Sequence, residues 1–342
     1  MNLKLYNLCL VGFGNVGRAL VRLLLEKDER MRREHGVAWR LTGVGTRRMG
    51  WLANADGLDT TALLESGTPA HARCADVNEW LRIAKADVLL EASSLSKRDG
   101  QPAISYIRAA LEHGAHVASA NKGPLVHAYD ELRALAREKQ RRFLFESTVM
   151  DGTPIFSLIR EALPVAGLRG FRGLLNSTTN VVLAEMEAGR TLAEAVKRAQ
   201  EIGVAETDPT DDLEGWDAAV KVVALARVLM GAPLRLEEVE RRGIATVTPE
   251  QVRAARAAGM PYKLICRAER RGERVVASVR PKQIPLSDPL APLTGTTSCL
   301  HFDIDVFGLT IIEHKPGVEA TAYGLLADFL RAVREPLEPQ GA

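Results

Sequence analysis

Gly12-Phe13-Gly14-Asn15-Val16-Gly17, close to the start of the chain, constrains the fold more than any other stretch. The apolar run 7–11 before it has strand composition, and residues 18–26 after it read as an amphipathic helix. A GxGxxG pattern alone is weak, but between a strand and a helix it marks a turn that takes a dinucleotide. The glycines allow a tight turn and close backbone approach to a pyrophosphate, and the helix N-terminus faces the anion. A plain strand–turn–helix is the alternative.

The same alternation continues downstream. Residues 86–92 form a buried-strand run ending in Ser93-Ser94, residues 102–113 a helix closed by Gly114, and residues 116–120 a strand ending in Asn121-Lys122-Gly123-Pro124. Strands alternating with helices predict a parallel sheet with right-handed crossovers. Ligands in such sheets collect at the carboxyl ends of strands, which places Ser93, Ser94, Asn121 and Lys122 beside a cofactor or substrate. The strand at 39–44 ends in Gly45-Thr46-Arg47-Arg48, where a protein reading the ribose hydroxyls of NAD usually carries an acid. Two guanidiniums suit a 2′-phosphate instead, so NADP(H) is expected ahead of NAD. A solvated basic loop is the alternative.

A second dense region is Glu206-Thr-Asp208-Pro-Thr-Asp211-Asp212-Leu-Glu214-Gly-Trp216-Asp217, followed by Lys221. Past Gly215, Trp216, Ala219, Val220, Val223 and Ala224 recur at helical steps, so Asp217 and Lys221 share one helix face. Such a pair is either a surface ion pair or a way to hold a proton-transferring lysine. The spacing of the acids and Pro209 exclude an EF-hand. Trp216 reads as a packing residue.

Ala120-Asn121-Lys122, the cluster Asn176-Ser177-Thr178-Thr179-Asn180 and the 206–221 segment, in that order along nearly the whole chain, resemble homoserine dehydrogenase. The resemblance implies Lys221 as the catalytic acid/base, Asp217 as its substrate-side partner, and Lys122 as a second catalytic or orienting lysine. Glu206, Asp212 and Thr178 would bind substrate, with Glu206 on its ammonium. Gly12, Phe13, Gly14, Asn15, Val16, Gly17, Arg47, Arg48, Ser93, Ser94, Lys122 and Gly317 would bind the cofactor. Glu146 and the carbonyls of Val149, Asp151 and Thr153 align with a monovalent-cation (sodium) loop. Three departures stand out. Met150 and Asp151 replace small residues, Ser177 replaces a glycine, and Lys315-Pro316-Gly317 stands where the family has Gly-Ala-Gly.

The expected architecture is α/β: a Rossmann nucleotide-binding domain over 1–148, an α+β substrate-binding and dimerisation domain over 149–318, and a helix over 319–342 returning to the first domain. A homodimer is expected from the resemblance. Within the second domain, residues 171–176 read as a strand leading into a helix capped by the 177–180 cluster. Thr191 and Glu194 form a capping box, and 274–279, 301–307 and 309–313 read as strands.

Length and composition fit this reading: 342 residues suggest about two domains, and 46% hydrophobic with 26% charged residues is ordinary for globular chains. A net charge of +2 makes no case for nucleic acid or a membrane surface. Neither a signal peptide nor a membrane span is expected, and four cysteines without CxxC spacing suit reduced thiols in the cytoplasm. The histidines, His71, His113, His116, His301 and His314 among them, are scattered and earn no role. The polar tail from Glu335 to Ala342 offers no second core, so inhibition by threonine through a regulatory domain is not expected.

The implied reaction is hydride transfer between a nicotinamide and the C4 carbon that links aspartate 4-semialdehyde to homoserine, in threonine and methionine biosynthesis. Two rivals differ in their demands. A phosphorylating semialdehyde dehydrogenase needs a nucleophilic cysteine. A non-catalytic nucleotide sensor needs the glycines but not Lys122, Glu206, Asp217 and Lys221 together.

Overall fold

A computed structural model describes residues 3–65 and 73–334; His71 and the tail from Glu335 lie outside the described residues. The chain divides into two compact units, Met1–Ile155 with Gly317–Ala342, and Phe156–Pro316. No helix among the described residues is long and apolar enough to cross a membrane.

The first unit is built on a sheet of β1 (Lys4–Val11), β2 (Val37–Thr46), β3 (Gly50–Ala53), β4 (Arg73–Cys74), β5 (Val88–Glu91), β6 (His116–Ser119) and β7 (Phe143–Leu144). The order is β4-β3-β2-β1-β5-β6-β7, with β2, β1, β5, β6 and β7 parallel. The buried run Leu8–Val11 of β1 and the fully buried β5 are what a parallel sheet covered on both faces requires. One departure from regular alternation follows β2. The chain turns back at once into β3, which pairs antiparallel with β2, instead of crossing over through a helix. Gly50, at φ +72°, allows the reversal, and the Thr46 hydroxyl accepts the Met49 N–H at 2.9 Å. Arg47 and Arg48 therefore sit in a hairpin turn.

The helix Asn15–His35 is longer than its apolar stripe suggests. Its charged end is held by i,i+4 pairs such as Arg30–Glu34 and ends at Gly36 in the left-handed region. The helix Val318–Arg334 packs against it and belongs to this first unit. Phe329, fully buried, meets the Tyr6 ring edge-on at 6.2 Å. Burying a phenylalanine is worth about 1.5–3 kcal/mol.

The second unit carries β8 (Leu168–Leu174), β9 (Glu240–Arg241), β10 (Tyr262–Arg271), β11 (Arg274–Gln283), β12 (Ser298–Ile304) and β13 (Gly308–Glu313), ordered β13-β12-β8-β10-β11-β9. Only the β9–β11 pair is parallel. The helix Trp216–Met230 packs on β8, β10 and β11, and Ser177–Glu187 on β10. β10 is absent from the sequence expectations. Its run Lys263–Cys266 is buried at four consecutive positions and shows none of the alternation that marks a half-buried strand.

Candidate functional site

In the first unit the site is made mainly of backbone. Gly12 sits at φ +91°, and a Cβ there would lie 2.2 Å from the Ala92 carbonyl oxygen. A Cβ on Gly17 would lie 2.2 Å from the Gly12 oxygen, so both positions require glycine for packing. Gly14 differs: a Cβ would meet no protein atom within 4 Å. Gly14 and Asn15 are exposed, Val16 is half-buried, and Phe13 is buried beneath the Arg18 guanidinium, 4.8 Å from its ring centroid. The helix beginning at Asn15 has neither a side-chain cap nor an acidic residue in its first turn. Its N–H groups and positive dipole end suit an anion, so the turn fits a pyrophosphate in both shape and charge.

The ends of β5 and β6 are joined by a network that the motifs do not reveal. Glu91, fully buried, accepts from the Ser93 N–H at 2.8 Å, the Ser93 hydroxyl at 2.5 Å and the Ser119 hydroxyl at 2.7 Å. Asn121 donates to the carbonyls of Ser93 and Ser94 and accepts from the Gly123 N–H. Burial pushes the Glu91 carboxyl above its usual range, and the serine hydrogen bonds pull it back. Ser93, Ser94 and the half-buried Lys122 are thereby fixed where the sheet rule expects ligands. Arg47 and Arg48 are exposed, and neither is ion-paired among the described residues.

The cation loop is occupied by protein contacts. The buried Glu146 carboxylate lies 3.3 Å from Arg331, and the Glu146 backbone N–H donates to the Asp328 carboxylate at 2.7 Å. The Asp151 carboxylate accepts from the Gly317 N–H and the Thr321 hydroxyl. No cluster of three or more His, Cys, Asp or Glu suited to a metal occurs among the described residues. A cation at the Glu146 carboxylate would face the Arg331 guanidinium, so that carboxylate does not fit as a ligand.

The second unit supplies a cluster of side chains. Lys221 Nζ lies 2.9 Å from Asp217 Oδ2 and donates to the Leu175 carbonyl at 2.6 Å, both side chains being about one-fifth exposed (19% and 21%). Asn176 bridges the carboxylates, its Nδ2 donating to Asp212 at 2.6 Å and to Asp217 at 3.1 Å. The same side chain caps the helix Ser177–Glu187 by accepting the Thr179 N–H at 2.9 Å, so the cap is Asn176 rather than the 177–180 cluster. Gly215, left-handed at φ +81°, starts the helix that brings Asp217 and Lys221 to this point. Burial, then the Asp217 charge, push the Asp212 carboxyl above its usual range, against hydrogen bonds from Asn176 and Thr178 and the Lys221 charge. Glu206 is exposed on the preceding loop, whose carbonyls at 206 and 207 are held by Gln200. Trp216 lies under the Arg241 guanidinium, 3.5 Å from its centroid.

Family profiles match both units: "Homoserine dehydrogenase, NAD binding domain" over residues 12–146 and "Homoserine dehydrogenase" over 154–330. The chain belongs to the homoserine dehydrogenase family. It is 38% identical over 335 residues to an NAD(+)-dependent homoserine dehydrogenase of Pseudomonas canavaninivorans, covering 95% of each chain. It is 34% identical to the homoserine dehydrogenase of Sulfurisphaera tokodaii, covering 96% of this chain and 99% of that one. Among solved structures, a hyperthermophilic archaeal homoserine dehydrogenase in complex with NADPH matches at TM-score 0.83 and 28% identity, covering 98% of this chain and 100% of that one. The Thermoplasma acidophilum homoserine dehydrogenase matches at TM-score 0.81 and 26% identity, covering 96% and 98%. Membership makes the protein an NAD(P)-dependent oxidoreductase. The cysteines argue the same way against a thiol mechanism. All four are free and buried, and burial pushes Cys266 up to about 12 and Cys299 to about 11.

Proposed function

We propose that this homoserine dehydrogenase interconverts aspartate 4-semialdehyde and L-homoserine with NADP(H), serving threonine and methionine biosynthesis. The Lys221–Asp217 pair, backed by Asn176 and Asp212, carries the reading. The nicotinamide, when bound, supplies the hydride to C4 of the aldehyde or takes it from the alcohol. Lys221 gives its proton to the oxygen that becomes the alcohol, and accepts it in reverse. Asp217 holds the Lys221 ammonium in place; Asp212 and Thr178 bind substrate, and the exposed Glu206 takes its ammonium. In the nucleotide unit, the glycine turn takes the pyrophosphate, Ser93 and Ser94 line the crevice, and Lys122 orients substrate. No monovalent cation is given a part in the reaction.

NADP(H) is preferred on the strength of Arg47 and Arg48, with no acid on β2 to read ribose hydroxyls. The named activity of the Pseudomonas canavaninivorans relative favours a second reading, NAD(H). A homodimer would cover the exposed Val306, Phe307 and Ile312 in and beside the β13 edge. The test is oxidation of NADPH, then of NADH, by the purified protein with aspartate 4-semialdehyde, with the product identified chromatographically. Homoserine formed faster with NADPH is the expected result. No nucleotide oxidation overturns the assignment, and faster turnover with NADH overturns the cofactor preference alone.

A further inference from the structure

Met150 and Asp151 hold left-handed backbone, at φ +53° and +49°. Residues with a Cβ adopt this region uncommonly, and it persists where surroundings compensate. Asp151 has that compensation. Its Oδ2 accepts the Gly317 N–H at 2.7 Å and its Oδ1 accepts the Thr321 hydroxyl at 3.0 Å. Gly317 immediately precedes the helix Val318–Arg334, so Asp151 caps that helix from 166 positions away in the chain. The contact is continued by main-chain packing. Ser147 donates to the Thr321 carbonyl at 2.7 Å, and a Cβ on Gly152 would lie 2.3 Å from the Ala320 oxygen. The loop and the start of the helix are therefore joined by side-chain hydrogen bonds and close main-chain packing.

Gly317 itself has no protein reason to be glycine. Its φ is not positive, and an added Cβ would meet nothing within 4 Å. Gly14 in the dinucleotide turn shares both properties. By the resemblance, Asp151 stands where a small residue is expected and Lys315-Pro316 where Gly-Ala is expected, just before Gly317. The two departures meet in one hydrogen bond.

We propose that Asp151 is a positioning residue for the cofactor: its carboxylate fixes the turn at Gly317, so the backbone there meets NADP(H) already ordered. This rests on the reading above that Gly317 faces the cofactor. Preordering a binding segment raises affinity by removing the cost of ordering it on association. In a chain with a small residue at 151, that cost falls on binding.

The test uses Asp151→Gly, Asp151→Asn and Gly317→Ala in the full-length protein, with NADPH affinity read by nicotinamide fluorescence titration alongside thermal melting. Asp151→Gly removes the clasp while relieving the left-handed strain. Its affinity should fall about fivefold to twentyfold with melting little changed, because strain relief offsets the lost cap. Asp151→Asn, which still offers an oxygen to the Gly317 N–H, should stay within about threefold of wild type. Gly317→Ala should melt like wild type and bind NADPH more weakly, since its methyl meets no protein atom. Unchanged affinity in Asp151→Gly or in Gly317→Ala overturns the proposal, as does Asp151→Asn as weak as Asp151→Gly. A wild type that binds neither NADPH nor NADH instead overturns the functional reading beneath it.

Discussion

The two units build their sites from different materials. The nucleotide unit works with backbone. Gly12 and Gly17 bring main chain within touching distance, Gly14 leaves a gap, and the helix from Asn15 presents uncapped N–H groups. The second unit works with charged side chains: Lys221 pairs directly with Asp217, and the Asn176 amide joins Asp217 to Asp212. A backbone site is damaged by adding atoms, a side-chain site by removing them. A pyrophosphate needs only donors at fixed places, which any main chain can supply. Proton transfer needs a titratable group with tuned neighbours, which only side chains supply.

The largest effect should come from the side-chain site. Lys221→Ala is expected to lower kcat by about two to four orders of magnitude, as loss of a general acid does. Steady-state turnover at saturating NADPH checks it; a variant within tenfold of wild type would remove Lys221 from the chemistry. Next comes the tip of the β2–β3 hairpin. Replacing both Arg47 and Arg48 with alanine should weaken NADPH about tenfold to a hundredfold while leaving NADH nearly unchanged, the cost of losing charge-assisted bonds to one phosphate. Equal losses for both nucleotides would show that the arginines do not read the 2′ position.

The glycine pair separates packing from binding. Gly12→Ala should lower the melting temperature, since its Cβ clashes with the Ala92 carbonyl at 2.2 Å and its φ is +91°. Gly14→Ala should melt like wild type yet bind NADPH about tenfold more weakly, roughly 1.4 kcal/mol. Melting curves and titrations of the two variants are the check, and a stable, tight-binding Gly12→Ala would contradict the clash.

The smallest effect concerns pH. The folded-state pKa of Asp212 is raised, burial coming first and the Asp217 charge second. Its contribution to stability is thus fully present below the unfolded value of about 3.9 and is lost as pH rises through the raised folded value. Asp212→Asn should therefore raise the melting temperature at about pH 8, lose that advantage below about pH 4, and weaken substrate binding. A variant that melts lower than wild type at neutral pH would mean that its hydrogen bonds outweigh its charge.

Legibility followed the same division. The glycine turn could be read directly, because a backbone requirement leaves glycines at fixed spacing. Asp217 and Lys221 could be paired because one helix carries both. The link from Asn176 to Asp212 spans 36 positions and from Asn176 to Asp217 spans 41, so no local pattern announces it. Glu91 reads as one more residue of a strand, and its role rests on Ser119, 28 positions away. The β2–β3 hairpin escaped because Gly50-Trp51-Leu52-Ala53 is too short to show a period. β10 escaped because its run Lys263–Cys266 is buried at four consecutive positions and so shows no alternation.

The division of labour between the two units is tested most directly by titrating Lys221→Ala with NADPH and following nicotinamide fluorescence. If the cofactor is held by the nucleotide unit's backbone and the proton by the second unit's lysine, the variant binds NADPH within about twofold of wild type while turnover is nearly abolished. Binding lost together with turnover would contradict that division.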